Sequence, residues 1–246
     1  MWQEFRNDVA AQGVEIVTVG LDAAGAEACR PFIEAASPEH PSLIDEHHRV
    51  AELFGVINIP NAVWIDEQGM IVRPAEAAPG PPSFDVGRDL GLGDMSEIPE
   101  RMLGIMGEAS KIQADPAGYE AAMRDWITNG TNSRFALTPD EVIERSGPRS
   151  QDHAIGHAHF ELATHFETTG NHAAAVEHFK KAHELVPENF AYRRQAWSLE
   201  PSVDGPLARF WQGPSADNPD AWPYAGDWLT DVKAMGAENY YPAFEA

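Results

Sequence analysis

The sequence predicts an α/β unit at the N-terminus followed by an α-helical region. Three observations carry that expectation. A β-branched run, Val14–Leu21, stands between two amphipathic stretches. Residues 40–73 read as strand, helix, loop and hairpin. After about residue 96, strand patterning gives way to helical spacing punctuated by Pro and Gly.

The elements follow in order. Trp2, Phe5 and Val9 share one helical face, and Gly13 ends that helix. Val14–Leu21 is the first strand, and Asp22–Gly25 is a turn. A helix over about Cys29–Ala36 places Pro31 near its first turn, where a missing N–H costs nothing. Ser42–Asp45 is a short strand and His47–Phe54 a helix. The loop that follows ends in Ile59-Pro60. Ala62–Ile65 and Met70–Val72 form a hairpin around Asp66-Glu67-Gln68-Gly69, whose late glycine supplies positive φ. Ala-Val-Trp-Ile is apolar throughout, so this strand is expected to be buried on both faces.

These residues carry a resemblance. Gly13-Val14-x-Ile16-Val17-x-Val19, then His40-Pro41-x-Leu43-x-Asp45, then Val56-x-x-x-Pro60 with an apolar strand and Asp66-x-x-Gly69, resemble a thioredoxin-like domain of the TlpA/ResA and redoxin group. The resemblance spans residues 1–73. It implies a cis peptide at Pro60, a minority state for X–Pro bonds. It also implies that Ile59 and Pro60 form the substrate-binding edge. Asn61 stands where the family usually has threonine.

The family's first strand and its W-x-x-C-x-x-C turn have no counterpart here, and the chain holds a single cysteine, Cys29. That strand would lie between Val14–Leu21 and Ala62–Ile65. The resemblance therefore implies an incomplete domain whose catalytic Cys or selenocysteine lies upstream of Met1, with Met1 an internal methionine. Cys29, near the start of a helix that lowers thiol pKa, is the one candidate catalytic residue within the chain. The competing reading is a small, half-buried packing residue.

Ala75–Pro82 is rich in Pro, Gly and Ala, so residues 74–95 read as linker or loop. Ser96 is the expected cap of a helix to about Ile112, the candidate for covering the sheet. Asp115-Pro116 opens a helix ending at Asn129-Gly130. Thr138-Pro139-Asp140-Glu141 opens another, which Ser146-Gly147-Pro148 stops. From Gly156 to Asn189 the chain resembles one tetratricopeptide repeat, through Ala163, Phe166, Gly170, Ala175, Phe179, Ala182 and Pro187. The period of that motif is about 34 residues. A lone repeat must bury its face on neighbours, here the helices before it and Ala191–Leu199. It is either a protein-binding surface or a packing module. His153 and His157, one turn apart, have metal-ligand spacing but no H-E-x-x-H context. Solvated or core-edge histidines are the other reading. Residues 200–246 form an aromatic-rich irregular tail, expected to pack across another surface, either the thioredoxin-like unit or a partner, with one helix at Asp227–Met235.

Charge narrows the function classes. A formal net charge of −22 opposes binding to nucleic-acid phosphate or anionic membrane. No apolar run reaches spanning length. One cysteine suits a reducing, cytoplasmic compartment. No cofactor is implied. Two functions stay open. The first is thiol–disulfide or peroxide reduction with a disulfide protein or peroxide as substrate; the second is a non-catalytic protein-binding module.

Overall fold

A computed structural model describes residues 2–78, 98–200, 208–242 and 244. Helix α1 (Trp2–Val9) tightens into a 3-10 turn at Ala10–Gln12, and Gly13 ends it at φ 82°. Strand β1 covers only Thr18–Leu21. Its parallel partner β2 (Ser42–Asp45) is equally short and pairs Thr18 with Ser42 through Leu21 with Asp45. The expected strand from Val14 is therefore too long: among the described residues, 14–17 have no strand opposite, and backbone without a ladder partner does not make sheet.

Helix α2 runs Gly25–Ala36, four residues earlier than expected, so Pro31 sits in its interior. The Asp22 turn sets this start. Asp22 accepts from the Ala24 N–H on its carboxylate and from the Gly25 N–H on its carbonyl, both at 2.9 Å. Gly25 has φ 74°, and a Cβ there would lie 2.5 Å from the Glu46 carboxylate. Helix α3 (Arg49–Phe54) is capped by Asp45, whose carboxylate accepts from the Arg49 and Val50 amides at 2.8 and 2.7 Å.

Strands β3 (Asn61–Ile65) and β4 (Ile71–Ala77) form a separate antiparallel sheet. Four residues expected as linker, Pro74–Ala77, are thus strand, paired back to Asn61 and Ala62. Pro74 is tolerated because β4 is an edge strand. Among the described residues β1 and β3 each have a strand partner on one side only. β3 is not buried on both faces either. Trp64 is buried while Ile65 is 46% exposed, because helices cover one face alone.

The helix covering that face is α5 (Pro116–Asn129), not α4 (Glu100–Ala109). Tyr119, Ala122 and Trp126 of α5 pack with Trp64, Val72 and Phe135. The Trp64 indole donates to the Tyr119 hydroxyl at 2.8 Å. Met102 and Ile105 of α4 instead join the main helical core. Pro99, without a side-chain cap bond, precedes α4; the expected cap Ser96 lies outside the described residues. Asp115 caps α5 through the Gly118 amide, and Thr138 and Glu141 form the expected capping box of α6 (Pro139–Ser146).

Helices α7 (Gln151–Thr168) and α8 (His172–Leu185) pack as an antiparallel pair turned at Gly170, φ 81°. α7 begins five residues before the expected repeat. Phe160, Ala163, Ala175, Phe179 and Ala182 are buried between them. Helix α9 (Phe190–Ser198) adds Tyr192 and Trp197. The tail contributes α10 (Ala208–Trp211), α11 (Trp228–Met235), and the core residues Trp211, Tyr224, Trp228 and Tyr240. The described tail residues pack mainly on the helices, while Phe244 joins the Trp64 cluster of the hairpin sheet. No described helix is long and apolar enough to cross a membrane.

Gly156 sets how closely α7 approaches the end of α8. A Cβ there would lie 2.5 Å from Val186 Cγ2 and 3.4 Å from Leu185 Cβ. Val186 is β-branched and buried, so it cannot swing aside. Gly156→Val is expected to cost about 1–3 kcal/mol of unfolding free energy by overpacking, read from denaturant midpoints at unchanged slope.

Candidate functional site

The loop between α3 and β3 brings the expected docking residues to a corner where the hairpin sheet meets the helices. The Ile59–Pro60 peptide is cis, as the resemblance implied. Backbone groups on both sides are held by other parts of the chain. The Ile57 carbonyl accepts from the Ala191 N–H of α9 at 3.0 Å, and the Pro60 carbonyl from the Ala78 N–H at 3.2 Å. Ile59 is treated differently. Its N–H donates to Oδ1 of Asn58 at 2.9 Å, and its carbonyl accepts from the Tyr241 hydroxyl at 2.8 Å. Asn58 also donates from Nδ2 to the Tyr240 carbonyl at 3.1 Å. Sequence reasoning named Ile59 and Pro60 and missed Asn58 and Tyr241. The asparagine was legible as a polar residue in an apolar loop; the tyrosine, 182 positions away, carried no local signal.

Cys29 lies elsewhere, more than a turn inside α2 rather than at its N-terminus. Its thiol faces a groove of about 330 Å³ lined by β1, Phe32, Ile33 and Leu43. Burial, then the charges of Asp22 and Glu46, push the thiol pKa up. This environment opposes the thiolate, the form that attacks disulfides. The structure brings Cys29 to β1 and not to the Ile59 corner.

His153 and His157 are each tied to different partners. His153 meets the Glu188 carboxylate through Nε2 at 2.9 Å and the Ser150 hydroxyl through Nδ1 at 2.7 Å. His157 Nδ1 bonds the Tyr192 hydroxyl at 2.8 Å. Among the described residues no group of three His, Cys, Asp or Glu side chains is placed to hold a metal ion. Together with Glu52, Arg149 and Asn189 the two histidines line a space of about 30 Å³, room for about one water. His48, buried against Phe160, bonds Gln195 at 3.0 Å, and Gln195 accepts in turn from the Ala23 N–H at 2.8 Å. This relay fastens the β1–α2 turn to α9. Burial holds the His48 pKa down.

No family model matches the chain, and no curated protein or solved structure matches it.

Proposed function

We propose that this chain carries the substrate-docking part of a thioredoxin-like, redoxin-type thiol–disulfide oxidoreductase, its attacking thiolate or selenolate supplied by a segment outside these residues. The observation that carries the reading is the pair of open strand edges. β1 and β3, the neighbours of the family's nucleophile-bearing strand, each pair on one side only among the described residues. Ladder groups left unpaired on a strand edge offer a template for a partner strand. The order helix, strand, helix, strand, helix, hairpin supports the same reading. In such a site the nucleophile attacks one sulfur of a substrate disulfide, breaking that S–S bond and expelling the other sulfur as a thiolate; the mixed disulfide or selenenyl sulfide so formed is cleaved by a second thiol, which releases the reduced substrate. Ile59 and Pro60 would hold the extended substrate beside it. Burial of the Cys29 thiol, and after it the charges of Asp22 and Glu46, argue against that residue as nucleophile. The net charge of −22 disfavours nucleic-acid phosphate and anionic membrane as partners.

A second reading, a binding module with no redox chemistry, is favoured by one observation: Tyr241 already engages the Ile59 carbonyl. Insulin-disulfide and peroxide reduction assays separate the two. The 246-residue chain is expected to give no turnover above background. The product extended upstream in the reading frame is expected to turn over and to lose activity when its upstream Cys or Sec is replaced by Ser. Turnover by the chain alone that Cys29→Ser abolishes would overturn the first reading. Inactivity of the extended product would favour the second.

A further inference from the structure

The tail treats Ile59 as a place to be closed. Its N–H and carbonyl are satisfied by two side chains, Asn58 and Tyr241, while the Ile57 and Pro60 carbonyls bond backbone N–H groups. Side-chain partners can rotate away without unmaking a turn or a sheet; the backbone partners cannot. Ile59 as a residue is 38% exposed, so it stays reachable from solvent. Burial raises the Tyr241 phenol pKa, so the hydroxyl keeps its proton and remains a donor.

The two closures are coupled through Asn58, which accepts from the Ile59 N–H and donates to the Tyr240 carbonyl. Tyr240 anchors the strap: it is buried, and its ring meets Phe190 and Trp228 edge-on at 5.1 and 6.0 Å. Tyr241 meets Tyr240 at 4.9 Å and reaches past it to the loop. Anchor and gate are therefore adjacent residues with separate tasks.

We propose that Tyr241 is an intramolecular gate on the Ile59 edge, occupying in cis the carbonyl that an extended peptide would use. This rests on the docking role proposed above for Ile59. A peptide N–H that takes over the Ile59 carbonyl replaces the phenol's hydrogen bond with an equivalent one, and the released hydroxyl is rehydrated. The exchange is therefore near balance, and small changes at Tyr241 shift it.

The test uses the 246-residue chain and a fluorescein-labelled, carboxamidomethylated insulin B chain as the extended probe. Binding is followed by anisotropy and located by amide NMR shifts at Ile59 and Asn61. Tyr241→Phe keeps the ring and removes only the hydroxyl; it is expected to bind the probe about fivefold more tightly than the native chain. Tyr241→Ala, which also removes the ring, is expected to bind tighter still. Equal affinity of all three chains, with shifts at Ile59, overturns the gate and leaves the docking role intact. Absence of shifts at Ile59 in every chain overturns both.

Discussion

Arg73→Met is expected to lower the unfolding free energy by about 3–5 kcal/mol, among the largest single-residue effects in the molecule. The Arg73 side chain is 1% exposed. Its guanidinium donates to both Glu76 carboxylate oxygens, at 2.6 and 2.9 Å, and to the Phe135 carbonyl at 3.1 Å. The same group lies over the rings of Trp64 and Phe244, 5.3 and 4.8 Å from their centroids. Methionine fills much of the space but leaves the Glu76 carboxylate, 19% exposed, without its cation. Most of the loss comes from that stranded charge rather than from the pair itself, since well-packed neutral replacements of both partners often cost little. Arg73→Met combined with Glu76→Gln should therefore be less damaging than Arg73→Met alone. Denaturant unfolding of the two variants measures the difference; additive or worse losses would assign the effect to packing.

Acidification is the second large perturbation. His183 is enclosed by Trp197 and Tyr224, ring centroids 6.4 and 5.2 Å away, and its Nε2 is buried without a hydrogen bond. Burial, reinforced by the Arg193 charge, lowers its pKa from 6.5 to about 4. The folded chain thus binds this proton less readily than the unfolded chain. The stability it contributes is complete above pH 6.5, falls as pH drops from there, and is gone near pH 4. A shift of that size corresponds to about 3 kcal/mol. Burial moves His48 and His159 in the same direction. His172 opposes them. Its hydrogen bond to Glu167, then the nearby Glu200 charge, raise its pKa, so its stabilisation is present in acid and lost as pH rises through the folded value. Denaturant midpoints measured from pH 7 to 4 should fall steadily for the native chain and less steeply for His183→Gln. Parallel curves would place the acid sensitivity elsewhere.

What the sequence made legible was mostly local. The Thr138–Glu141 capping box, Asp115 before Pro116, and the glycine ends at Gly13 and Gly170 need only a few neighbouring residues to specify them, and the structure has them all. Contacts distant in sequence were hidden. Val14–Val17 has strong β composition but, among the described residues, no strand opposite to pair with. Pro74–Ala77 looks like linker yet continues β4, because Asn61 and Ala62 wait across the hairpin. Arg73 reads as a charged residue ending a strand; only the arrival of Phe135 and Phe244 explains its burial. The corner proposed for docking was half legible in the same way. Ile59 and Pro60 stood out by pattern, whereas Tyr241 reaches the Ile59 carbonyl only through the packing of the tail.

Hydrogen exchange at the amides of β1 (Thr18–Leu21) and β3 (Asn61–Ile65) probes the proposed missing strand most directly. In the 246-residue chain the outward-facing amides on each strand's open edge should exchange rapidly, and in the upstream-extended product the same amides should become protected. Equal exchange in the two proteins, or protection already present in the shorter one, would contradict a nucleophile-bearing strand seated between them.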